Sequence, residues 1–164
     1  MEFDSIGTIY ENIPTDWLII GVFAIFAAFD SLRSGARRAC TVALAIPITT
    51  FLLTLLPQTI VLNTVLYQFA NPFLEAIIFG ALFVVLYILI SRFDFAWGDD
   101  SGQTIQAALA GVAATVIVVT FWIATPALDT LWHFGPQIQA VFGEAYRFWW
   151  IIASFATLGF VRNS

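Results

Sequence analysis

The sequence predicts an all-α protein, a polytopic membrane helical bundle of four spans flanked by interfacial amphipathic helices, with a C-terminal stretch that reads as re-entrant, interfacial or a fifth span. Three observations lead there. Of 164 residues, 60% are hydrophobic and only 10% are charged, whereas a soluble domain needs about a quarter charged residues to cover its surface. The mean hydropathy is +0.91. Uncharged runs recur along the chain at or near the roughly 20 residues that cross a bilayer as a helix.

The head of the chain carries Glu2, Asp4, Glu11 and Asp16 and no basic residue. A secretory signal opens with positive charge, so this head is expected to be retained. Residues 16–32 follow as the first span. It is short for a hydrocarbon core of about 30 Å, but Asp16 and Arg33 can snorkel at its ends. Residues 31–38 (SLRSGARR) form a tight polar break with Gly35 as its turn residue. Residues 39–56 are uncharged and form the second span. Pro47 in its middle removes one backbone hydrogen bond, which membrane helices tolerate. Residues 58–70 place Leu62, Val65, Leu66 and Phe69 on one helical face and read as an interfacial helix.

Asn71-Pro72 has the form of a helix start, with proline at the first position. The third span covers residues 73–91, with Glu75 in the first turn where the helix dipole favours an acid. A polar loop with two glycines and three aspartates leads to the fourth span, residues 105–128, an uncharged run of 24 residues. Residues 136–147 place Ile138, Val141, Phe142 and Ala145 on one face and read as a second interfacial helix. Residues 148–161 are too short to cross alone and span only by borrowing from the preceding stretch.

Composition also excludes chemistry. One cysteine, Cys40, and one histidine, His133, leave no material for a Cys-rich zinc site, an iron–sulfur cluster or a histidine-pair metal motif. Without lysine there is no Schiff-base cofactor and no Walker-type phosphate loop. A net charge of −5 argues against nucleic acid as a partner. No span has an acid at its centre, so paired-aspartate proteolysis has no basis, and a serine nucleophile has no base. No catalytic residue, cofactor site or metal site is expected.

The arginines orient the chain. With Arg33, Arg37 and Arg38 in the cytoplasm, alternation of four spans places Arg92 there too and leaves Arg147 outside. The acidic N-terminus is then outside, and Trp17, Trp132, Trp149 and Trp150 gather at the outer interface with Trp97 at the inner one. There is no internal repeat, so an inverted-repeat transporter gains no support.

Several residues admit two readings. Arg33, Arg37 and Arg38 either set topology, with Asp30 pairing Arg33 at i,i+3 spacing, or form a site for an anionic lipid or an acidic partner segment. Glu75 either answers the helix dipole or is an intramembrane proton carrier. Asp94, Asp99 and Asp100 read as a solvated loop, since their spacing lacks the calcium-loop pattern. His133 reads as interfacial, with pH sensing the alternative. The packing pattern is more informative: Ala107, Gly111 and Thr115, with Ala110 and Ala114 beside them, give the fourth span a smooth face for close helix contact, within a compact bundle or in self-association. Ala39 and Ala43 open the second span similarly. Thr41, Thr49, Thr50 and Thr54 give that span a weak polar stripe.

Four spans, an outside N-terminus, Asp16-Trp17-Leu18-Ile19-Ile20 opening the first helix, and Arg33-Ser34-Gly35-Ala36-Arg37-Arg38 leading into the second resemble the colicin V production protein family. The resemblance covers residues 16–51 in sequence and the remainder in hydropathy. Phe29-Asp30 departs from it, since that family often has a glycine there. It implies a non-enzymatic bacterial inner-membrane protein that supports secretion or envelope maintenance, with no agreed catalytic residues. Two functions remain open: an accessory or structural membrane protein binding partner helices, a homo-oligomer or another membrane protein, or a small channel or transporter component supported by Glu75, Pro47 and the threonines.

Overall fold

The computed structural model describes residues 14–56, 71–92 and 104–162. All regular structure among them is helical: α1 (Thr15–Ser34), α2 (Ala36–Leu55), α3 (Pro72–Arg92), α4 (Thr104–Ala124), α5 (Pro126–Asp129), α6 (Pro136–Phe142) and α7 (Glu144–Arg162). Four helices, Thr15–Ser34, Ala36–Leu55, Pro72–Arg92 and Ile105–Ala124, are long and apolar enough to cross a membrane. The protein is an all-α multi-pass bundle.

A single residue joins α1 to α2. Gly35 has φ +78° and ψ 165°, a left-handed backbone that glycine adopts without a Cβ penalty. The two helices diverge from it, and each packs more extensively on α4 than on the other. α4 is therefore the central element. Its Ala110, Ala114 and Ile117 meet Ala39, Cys40 and Ala43 of α2 and Leu158 of α7 in the main core cluster. Small side chains on both helices allow the backbones to approach, and dispersion in that close contact holds the helices together where lipid removes the hydrophobic drive. α2 runs unbroken through Pro47. α3 lies at the edge, with only Ala76 and Phe79 fully buried, and Asn71 caps it by accepting the Phe73 N–H at 3.0 Å.

The bundle has two chemically distinct ends. At the Gly35 end, the Arg37 guanidinium donates to the Ser91 carbonyl of α3 at 3.1 Å. The C-terminal half of α7 packs on α4 near this end, where Leu158 and Val161 join the same apolar cluster as Ala36, Ala39 and Ala110. At the Trp17 end, Val119, Phe134, Ile138 and Phe142 form a second cluster packed against Trp17, Trp122 and Trp150.

The structure revises several boundaries. The fourth span stops at Ala124, four residues short of the expected 105–128, because Pro126 disfavours helical geometry at the residue before it; Thr125 is extended at φ −104° and ψ 107°. The expected helix 136–147 is interrupted at Gly143, which is also extended. Ile138 and Phe142 are buried as expected, whereas Ala145 lies in the first turn of the next helix and is exposed. Residues 144–162 form one continuous helix of 19 residues, about 28 Å long, running antiparallel to α4 between the two ends. The expected interfacial helix 58–70 and the loop acids Asp94, Asp99 and Asp100 lie outside the described residues.

Candidate functional site

The small-residue seam of α4 is built into the monomer. Gly111 is buried against the backbone of α1: a Cβ there would lie 2.6 Å from the Ala27 carbonyl carbon and 2.7 Å from Ala28 Cα, far inside van der Waals contact. Ala110 and Ala114 are buried on the α2 side, Ala107 is half-buried, and Thr115 is buried with its hydroxyl on the Gly111 carbonyl at 3.0 Å. Ala39 and Ala43 of α2 are buried opposite. Sequence spacing identified the α4 face but not its partner on α1. The pair Ala27-Ala28, the one small doublet among the bulky residues of that helix, was the available signal.

At the Gly35 end, Asp30 does not pair along its own helix with Arg33. Its Oδ1 instead lies 3.2 Å from Arg38 Nη1 across the turn, because the one-residue connection folds the start of α2 back over the last turn of α1. The Ser34 hydroxyl donates to the Asp30 carbonyl at 2.6 Å and to its carboxylate at 3.1 Å. Arg33, Arg37 and Arg38 are all exposed and lie within one turn of Gly35.

The polar stripe of α2 is satisfied by its own backbone. The Thr41, Thr49, Thr50 and Thr54 hydroxyls donate to the carbonyls of Arg37, Ala45, Ile46 and Phe51 at 2.7 to 3.1 Å. Thr120 and Thr125 do the same in α4 and just beyond it. A hydroxyl that donates to the preceding turn has no hydrogen left for a permeating solute. Glu75 is exposed in the first turn of α3.

The Trp17 end is tied by hydrogen bonds of long sequence separation. Asp16 Oδ2 accepts the Gly135 N–H at 2.6 Å, linking the first turn of α1 to the segment before α6. Trp122 Nε1 donates to the Trp132 carbonyl at 3.1 Å and Trp150 Nε1 to the Val141 carbonyl at 2.7 Å. The Gln139 amide reaches both the Phe134 carbonyl, at 2.9 Å, and His133 Nε2, at 3.0 Å. Nε2 then accepts, which assigns the imidazole proton to Nδ1, 2.9 Å from Asp129 Oδ2.

Comparison of the chain with protein-family models, curated proteins and solved structures found no match. Its own geometry is therefore the guide to function. Among the described residues, no group of three or more His, Cys, Asp or Glu side chains comes together in a way that holds a metal ion.

The Asp16 bond yields a direct expectation. Asp16→Ala removes a charge-assisted acceptor and strands the Gly135 N–H, at a cost of about 1.5 to 3 kcal/mol. Unfolding in detergent should show that loss, and the Gly135 amide should exchange faster with solvent while amides in the α4 core keep their protection. Unaltered Gly135 protection would mean that other contacts hold this segment.

Proposed function

We propose that this protein is a non-enzymatic integral membrane protein of the bacterial inner membrane, an accessory or structural subunit acting through helix contacts in secretion or envelope maintenance. One observation carries the reading. α3, the most apolar of the four long helices at a mean hydropathy of 2.7, contributes little to the core and exposes Ile77, Val84, Val85, Ile88 and Leu89. With the small-residue seam consumed between α4 and α1, this outer face is offered to a partner helix, from another membrane protein or a second copy. The resemblance to the colicin V production family supplies the envelope context.

The Gly35 end is the cytoplasmic one in this reading, and α7 is a fifth crossing. Arg33, Arg37, Arg38 and Arg92 then share the cytoplasmic side with the α7 terminus at Arg162, and Arg147 alone stays outside, a stronger arginine bias than four crossings give. The tryptophans of the Trp17 end support the same assignment as an interfacial aromatic belt. The N-terminus is outside.

The alternative, a small channel or transporter component, rests on Glu75, Pro47 and the threonine row. It is the weaker reading because those hydroxyls are already bonded and Glu75 sits at a helix start. Glu75→Gln should therefore be nearly silent, losing only a dipole interaction of about 0.3 to 1 kcal/mol. A photoactivatable residue at position 85 should crosslink to protein in native membranes, whereas the same residue at the buried position 114 should not. Capture of lipid alone at position 85, together with loss of the cellular phenotype and of proton flux in Glu75→Gln, would overturn the accessory reading in favour of transport.

A further inference from the structure

Where α1 and α2 diverge from Gly35, a lateral cavity of about 400 Å³ opens between them, floored by Ala114, Thr115 and Val118 of α4. Phe23 and Phe26 of α1, Val42 of α2 and Tyr87 of α3 also line it. Phe26 is 70% exposed and Phe23 49%, so the mouth opens sideways toward the surface that lipid covers. The Asp30 and Arg38 pair bounds the cavity at its Gly35 end.

We propose that this groove is a binding site for one anionic phospholipid, an acyl chain lying in the cavity and its phosphate on Arg38. The walls and the end of the groove ask for different chemistry in one ligand. The walls are aromatic and aliphatic, and the Thr115 hydroxyl on the floor is already engaged with Gly111. At the end, Arg38 lines the cavity beside Asp30 and the exposed Arg33 stands one turn away across Gly35, so among the described residues two guanidinium groups stand near one carboxylate, a balance that favours an anion. A guanidinium matches phosphate oxygens with two parallel hydrogen bonds.

Size selects the lipid over a partner helix. The wall from Phe23 to Asp30 runs about 10 Å along α1 at the helical rise, far short of a spanning helix. At roughly 30 Å³ per methylene-sized unit, the cavity takes about a dozen chain carbons, much of one acyl tail. The site requires only that the chain lies in a bilayer, which its four apolar helices support. It does not depend on the accessory reading.

The test uses the full chain in vesicles of phosphatidylcholine doped with phosphatidylglycerol or with phosphatidylcholine bearing a photoactivatable acyl chain. Crosslinks to the peptides containing Phe23, Val42 and Val118 should favour the phosphatidylglycerol probe by about fivefold, the effect of one cation at an anionic surface. Arg38→Gln should abolish that preference while the neutral probe still labels. Asp30→Asn breaks the same ion pair but removes the competing carboxylate, so it should raise the preference. Val118→Trp should block labelling by both probes. Equal labelling by the two probes in the unaltered protein, or identical effects of Arg38→Gln and Asp30→Asn, would overturn the site and leave ordinary boundary lipid or a purely structural ion pair.

Discussion

Gly111→Leu should separate α4 from α1 and destabilise the bundle by more than about 3 kcal/mol. The α1 backbone occupies the space that any Cβ at residue 111 would need, and backbone cannot rotate away as a flexible side chain can. Overpacking a well-packed core typically costs about 1 to 3 kcal/mol, the range expected for Gly111→Ala. Leucine adds a branched chain that must push the whole helix aside. Unfolding in detergent measures the loss, and crosslinking between cysteines placed on α1 and α4 in a Cys40→Ser background reports the separation directly. Substituting the exposed neighbour Val112 by leucine should leave both readouts unchanged. If Gly111→Leu keeps the stability of the parent protein, the close approach of the two helices is not what holds them.

Replacing Arg33, Arg37 and Arg38 together by asparagine should send a substantial fraction of molecules into the membrane in the opposite orientation. The three flank a one-residue turn, so the hairpin of α1 and α2 carries its whole orienting charge at one point. Without them, only Arg92 and Arg162 remain to oppose Arg147. Labelling a cysteine at position 35, again with Cys40→Ser, should pass from protected to accessible from outside in that fraction. Complete retention of the parental orientation would mean that the arginines are there to bind rather than to orient.

The spans were legible because hydropathy acts residue by residue: a long apolar run exposes its side chains to water if it leaves the bilayer core, and within the core only a helix satisfies its backbone. The Gly111 seam was legible for a related reason, since small residues at four-residue spacing describe a surface belonging to one helix. What that surface meets depends on a segment some 80 residues away in sequence, and the Ala27-Ala28 doublet marks a place where α1 can be approached without saying which helix approaches it. The Asp30 pairing was misread for the opposite reason. Helical spacing made Arg33 the near neighbour, but the sharp reversal at Gly35 brought Arg38 to the same carboxylate. Proline and glycine effects at Pro126 and Gly143 were visible as residue types, yet only the packed structure shows that they end one helix and divide another.

The bond from Asp16 to Gly135 joins residues 119 positions apart, and this separation sets a timetable for biosynthesis. At about 5 to 20 residues per second, roughly 6 to 24 s pass between the synthesis of the two partners. α4, the helix on which α1 chiefly packs, also emerges long after it. During that interval α1 and α2 stand in the membrane as a hairpin joined at one glycine, with the Ala27-Ala28 surface still uncovered. The newborn chain thus presents to the insertion machinery, or to a neighbouring nascent copy, a small-residue face that the finished protein hides.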